Sequence, residues 1–175
     1  GTAFITRKST FEIVGGFDET LFAHMEEIDY HWRCHLMGNS VWVEPKSVIY
    51  HMGGETLAYG STEKTYLNHR NSLLLMLTNY SFFVSIYLFV PRLVMEVLSL
   101  FKYSISGKLN HTLAQLRALG WIFVHPHIIV PRRWKTWKLR TVKDSEIMEK
   151  LHTQSIVWQY FTQQLRTYSQ LKGTK

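Results

Sequence analysis

The stretch GGFDETLFAHMEEIDYHWR, from Gly15 to Arg33, sets two glycines ahead of three carboxylates, Glu26, Glu27 and Asp29, gathered within four residues. Around that cluster Met25, Ile28, Trp32 and Leu36 recur at three- and four-residue spacing and Gly38 follows as a stop, which predicts a helix from Met25 to Leu36. The acids then fall in its first turn, where free N–H groups and the helix dipole favour negative charge. One carboxylate there is an ordinary helix opener; three ask for a further purpose.

Working outward, GTAFITRK (1–8) has apolar residues on both faces and reads as a buried strand. Ser9 and Glu12 have the spacing of a capping box for a short helix that stops at Gly15 and Gly16. SVWVEP and SVIYH are short β-branched runs separated by a turn at Pro45, and the second delivers His51 to a strand end ahead of MGGE. Residues 1–60 thus read as a compact α/β unit.

Past Gly60 the texture changes. Thr62 can cap a helix carrying YLNHRN, and from Leu73 to Pro91 nineteen residues pass without a charged side chain, at the lower edge of a membrane span. Asn79, Tyr80 and Ser81 interrupt that run and Pro91 kinks it, which favours two helices lying against or dipping into a bilayer. A single full crossing and a buried helical hairpin fit the same pattern. A helix from about Asn110 to Val124 ends at HPH. PRRWKTWKLRTVK then sets six basic residues around Trp134 and Trp137 with no acid, an interfacial composition that points Arg132, Arg133, Lys135 and Lys138 at anionic lipid. Residues 61–143 form this helical region, and 144–175 read as amphipathic helix.

The formal charge of +7 hides an asymmetry. Residues 1–60 hold four Lys/Arg against eight Asp/Glu, a net of −4, and residues 61–175 hold sixteen against five, a net of +11. The lone Cys34 excludes an intramolecular disulfide framework and fits a reducing compartment. A chain opening at Gly1 on a strand-like segment reads as a piece of a longer protein.

Four motifs follow in order: GGFDE; F-x-x-x-E-[DE]-x-D, with Arg33 four residues after Asp29; V-x-x-H-x-G-G; and HRN. Together they resemble the C-terminal half of a family 2 inverting glycosyltransferase of GT-A type, of the bacterial surface-polysaccharide and rhamnosyltransferase-like kind. The resemblance is motif-specific over residues 1 to about 75 and only textural beyond. It implies an α/β, Rossmann-like GT-A fold followed by membrane-associated helices, on the cytoplasmic face of a bacterial inner membrane, peripheral or monotopic. The donor is a nucleoside-diphosphate sugar and the acceptor a glycan or lipid-linked glycan. The donor pocket and an Asp-x-Asp motif that binds Mg²⁺ or Mn²⁺ belong to the N-terminal half, which this chain lacks.

Inverting transfer is an in-line displacement at the anomeric carbon, so a carboxylate must take the acceptor's proton while a cation stabilises the departing diphosphate. By resemblance the base falls on Glu27, where the family more often carries Asp, and His51 joins the metal site. Gly16, Asp18 and Glu26 border the acceptor side. Asp29 orients the site, and its spacing to Arg33 suits a helical ion pair. Arg70 of HRN faces either a phosphate or a carboxylate. A basic module without activity, binding membrane or single-stranded nucleic acid, is the rival, since Lys/Arg with stacking aromatics suits both. The nucleic-acid version leaves the acids and the uncharged run unexplained.

Overall fold

The computed structural model describes residues 3–51, 57–152, 154–167 and 170. Those residues are helical, with no strand among them, which overturns the expected α/β, Rossmann-like fold. The segments read as strands, residues 3–7, 40–44 and 47–51, run without regular structure. β-branched composition favours an extended chain, but a strand exists only where a second strand answers its N–H and C=O groups. No segment among the described residues does so, and Trp42 and Tyr50 stand 86% and 99% exposed. The Gly-Gly after His51 lies outside the described residues.

Two units are present, Gly1–Val142 and Lys143–Lys175. In the first, α1 (Lys8–Val14) ends at Gly15, whose φ of 88° lets its N–H return to the carbonyls of Phe11 and Glu12. Ser9, expected as the cap, lies inside α1, and Arg7 precedes the helix. A short 3₁₀ turn (Glu19–Leu21) leads to α2 (Glu26–Leu36), which carries the three acids in its first turn as the spacing predicts. Its buried face is not the apolar stripe: Ile28 is exposed, and Asp29, Tyr30, Arg33 and Cys34 point inward with Leu36. On that face the rings of Phe4, Phe11, Phe17 and Tyr30 pack together, T-shaped where Phe17 takes part and tilted where Phe4 and Phe11 meet Tyr30, and Thr6 Oγ1 hydrogen-bonds the Tyr30 hydroxyl at 3.0 Å.

α3 (Thr62–Asn79) is the central helix, capped by Ser61 Oγ, which accepts the Lys64 N–H. It packs against α2, α4 (Phe82–Ile105), α5 (Leu109–Val124) and α6 (Pro126–Leu139). Its Leu73, Leu74 and Leu75 meet Leu21 and Ile122 in one core cluster, and Tyr66 and Leu67 meet Ala114 and Ala118 in another. Burying each such leucine contributes about 1.5–3 kcal/mol. α4 runs on through Pro91 for 24 residues, so that proline does not end it. By length and composition it is the one described helix able to cross a membrane alone, and α5 with α6 passes only as a pair bent by 72°. Little of its apolar surface is covered: Phe83 is 82% exposed, and Tyr87, Val90, Val97 and Phe101 are exposed too.

One face of α4 is different. Glu96 is buried and joins Arg92, His69 of α3 and Gln115 of α5 through bonds of 2.5–2.8 Å. A buried carboxylate is tolerated because it is paired and hydrogen-bonded on several sides.

The second unit contains α7 (Asp144–Met148) and α8 (Ile156–Thr162). Glu146 Oε1 accepts the Lys143 N–H at 2.9 Å, and Ser155 Oγ accepts the Trp158 N–H at 3.2 Å.

Candidate functional site around the acidic turn

The chain between α1 and α2 is held in an unusual path. Phe22, His24 and Met25 all have positive φ, of 60°, 66° and 72°. Each such residue costs about 1–3 kcal/mol and persists only where its surroundings impose it. Asn71 on α3 imposes it: its Nδ2 donates toward the carbonyls of Leu21, Ala23 and His24 at 3.0, 2.8 and 2.7 Å. Beside it, Arg70 Nη2 donates to the carbonyls of Thr20 and Leu21 at 2.8 and 3.1 Å. Within this chain Arg70 is thus engaged by backbone carbonyls rather than by a carboxylate. Its Nε donates to Asn71 Oδ1, and its guanidinium lies 5.4 Å from the Tyr66 ring and 5.2 Å from the Trp121 ring.

The glycine end of the loop is held from α2. Arg33 Nη1 and Nη2 donate to the carbonyls of Val14 and Gly16 at 2.6 and 2.7 Å, and its Nε donates to Asp29 Oδ2 at 2.8 Å. The ion pair suggested by the four-residue spacing is formed, and both members are buried. At Gly16, φ 63°, any side chain would be strained, and an added Cβ would press the Phe11 ring at 3.1 Å so that the ring must give by a few tenths of an ångström.

Arg132 of α6 closes the network. It donates to Asp18 Oδ2 at 2.6 Å and to Asp29 Oδ1 at 2.5 Å, and also reaches Thr78 Oγ1. Asn79 Nδ2 donates to the same Asp29 oxygen at 2.9 Å. Charges alternate along Asp18, Arg132, Asp29 and Arg33, so each buried charge faces an opposite one. Burial alone would push the Asp18 carboxyl up. The Thr20 hydroxyl and the Arg132 guanidinium outweigh it and hold Asp18 below the usual carboxylate range.

Glu26 and Glu27 stand at the exit of this clamped loop, both half-buried. Glu26 Oε2 and His24 Nε2 are enclosed with no hydrogen-bond partner. His31 lies one turn along from Glu27, and its burial lowers its pKa despite the nearby Glu27 charge. Burial likewise pushes the Cys34 thiol up, which leaves it an inert packing residue.

Three of the four motifs quoted above meet in this network; the fourth does not. His51 is exposed at the end of an unpaired segment, and no group of three His, Cys, Asp or Glu side chains able to hold a metal occurs among the described residues. Of the cluster pointed at the membrane, Lys135, Lys138, Trp134 and Trp137 are exposed and Arg133 is half-buried, but Arg132 is inside, bound to two aspartates. Asn71, Thr78 and Asn79 are the functional side chains that motif reading left without roles. Only Asn71 had a signal, as the third letter of HRN.

No family model, no curated protein and no solved structure matches this chain.

Proposed function

We propose that this chain is part of a glycosyltransferase acting at a membrane surface, moving a sugar from a nucleoside-diphosphate donor to a glycan or lipid-linked acceptor. The observation that supports this most is the meeting of GGFDE, EEID with Arg33, and HRN around one strained, rigidly clasped loop that ends at Glu26 and Glu27. Strain maintained by buried clamps is what a positioned catalytic group needs, because a base must sit within hydrogen-bond reach of the proton it removes. Glu27 is the base. It takes the acceptor hydroxyl's proton as that oxygen bonds to the anomeric carbon, and the bond to the diphosphate breaks with its electrons leaving on the diphosphate. Glu26, half-buried beside it, borders the acceptor. The apolar outer faces of α4 and α5, with the basic outer face of α6, seat this body on the cytoplasmic face of a bacterial inner membrane.

The test is Glu27→Gln in the full-length protein, assayed with nucleoside-diphosphate sugars. Turnover should fall about 100-fold or more with donor affinity nearly unchanged, because only the proton acceptor is removed. Near-normal turnover in Glu27→Gln together with loss in Glu26→Gln would move the base by one residue. Full activity in both would refute the reading. A membrane-binding module without catalysis is the second reading, supported by the long uncovered apolar face of α4. It predicts liposome flotation with no transfer under any donor.

A further inference from the structure

The two sides of α4 ask for opposite surroundings. Ser85, Arg92, Glu96 and Tyr103 follow one another at spacings of seven, four and seven residues, which keeps them on one side of the helix. Phe83, Val90, Val97 and Phe101, spaced by seven, seven and four, share the opposite side and are all exposed. We propose that α4 lies in the plane of the membrane and does not cross it, with its outer stripe among the acyl carbons of one leaflet and its polar stripe fastened to the bundle. The inference rests on the membrane reading above and names what that surface meets, a single leaflet entered sideways.

The polar stripe is held along its length. Ser85 Oγ donates to the Met76 carbonyl at 3.0 Å, Arg92 Nη2 donates to Ser72 Oγ at 2.7 Å, and His69 Nδ1 meets Glu96 Oε2 at 2.7 Å. Partner numbers fall along α3 as they rise along α4, so the two helices run antiparallel and side by side over these residues. From α5, Gln115 Nε2 donates to the Glu96 carbonyl at 2.9 Å and to Glu96 Oε2 at 2.5 Å, and the His111 ring stacks on Tyr103 with centroids 5.4 Å apart.

Length alone does not choose between lying and crossing. The 24 residues of α4 extend about 36 Å, enough for a hydrocarbon core of about 30 Å. Arg92 and Glu96 flank its midpoint, however, so a crossing would carry both to the bilayer centre, where charged side chains are most costly. It would carry α3 to the same depth. Arg70 and Asn71 lie on the stretch of α3 paired with Arg92 and Glu96, and they are the residues that clasp the acidic turn. Asn79, at the end of α3, is bonded to the buried Asp29. Lying flat satisfies both sides of α4 at once: the charged pair stays enclosed in protein, and the uncharged outer stripe leaves water. A helix placed this way buries its apolar side about 5–10 Å into the boundary between headgroups and acyl chains.

Phe83→Cys, Val90→Cys, Val97→Cys and Phe101→Cys, each made in the full chain with Cys34→Ala and carrying a nitroxide, would be bound to vesicles of phosphatidylcholine and phosphatidylglycerol. Label depth is read from the ratio of collisions with oxygen to collisions with a water-soluble nickel chelate. With α4 in the plane, all four labels should favour oxygen and lie within about 5 Å of one another, the spread of a stripe buried at one depth. A crossing helix rises 1.5 Å per residue, so Val90 and Val97 would report about 10 Å deeper than Phe83. That graded profile would overturn the proposal and leave membrane binding standing. Four labels open to the nickel chelate would refute the membrane reading and the proposal together. Where a labelled variant departs from the parent in circular dichroism or melting temperature, the exposed Tyr87→Cys or Val94→Cys takes its place on the same stripe.

Discussion

Replacing Arg132 by Met keeps a long apolar stem and removes the guanidinium that joins Asp18 to Asp29. Arg132 is 7% exposed and Asp29 is fully buried, so solvent cannot take over the lost contacts. Removing one partner of a buried ion pair costs about 3–5 kcal/mol, because the other charge is left enclosed. Asp29 keeps its bonds to Arg33 and Asn79, which places the expected loss near the lower bound, about 3 kcal/mol. In a chain of this size each kcal/mol shifts the melting temperature by about 2–4 °C, so thermal unfolding followed by far-ultraviolet circular dichroism should drop by roughly 6–12 °C. Lys135→Gln, three residues along the same helix but exposed, should change stability by no more than about 0.5 kcal/mol. If Arg132→Met melts like Lys135→Gln and instead loses liposome binding to the same degree, Arg132 is a surface residue and the buried charge chain is wrong.

Asn71→Ala removes a donor group aimed at three carbonyls and should destabilise the protein by about 1–3 kcal/mol, with hydrogen exchange rising first in residues 20–26. Gly16→Ala should cost about 1–2 kcal/mol of left-handed backbone strain plus displacement of the Phe11 ring, measurable as a lowered urea midpoint. Asp18 has a folded pKa below its unfolded one, so the folded state binds fewer protons. Its contribution is complete above the unfolded value, near pH 4, and disappears as pH falls through the folded value. Asp18→Asn should therefore flatten the acid limb of a stability-against-pH curve while changing its slope little above pH 5.

How far the sequence could be read depended on how local each feature is. Gly15, the acids of the first turn of α2 and the Asp29–Arg33 pair are settled by residues within one or two turns, and their spacing showed them. The inward face of α2 was not legible, because periodicity counts apolar side chains and an ion pair satisfied from α3 and α6 breaks that count. SVWVEP and SVIYH have the composition of strands, but pairing is a property of two segments and no second one meets them among the described residues. The basic run on α6 was read as one patch, yet the helix turns about 100° per residue, so Arg132 and Thr136, four residues apart, face the bundle while Lys135 and Lys138 stay outside. The Asn71 amide nitrogen works on backbone carbonyls, which no sequence pattern displays.

The charge chain also sets an order of assembly. Asp29 and its partner Arg132 are separated by 103 positions, so during synthesis at about 5–20 residues per second the aspartate is made roughly 5–20 s before the arginine that bridges it to Asp18. Until then the Asp18–Asp29 bridge is missing and the glycine-rich turn lacks one of its clasps. The apolar α4 is complete before α6 exists, so the segment suited to lipid emerges ahead of the residue that locks the acidic turn. A long-range contact of this kind contributes late, after its loop-closure entropy has been met. The acidic turn thus matures only after the body that would seat it on a membrane has been made.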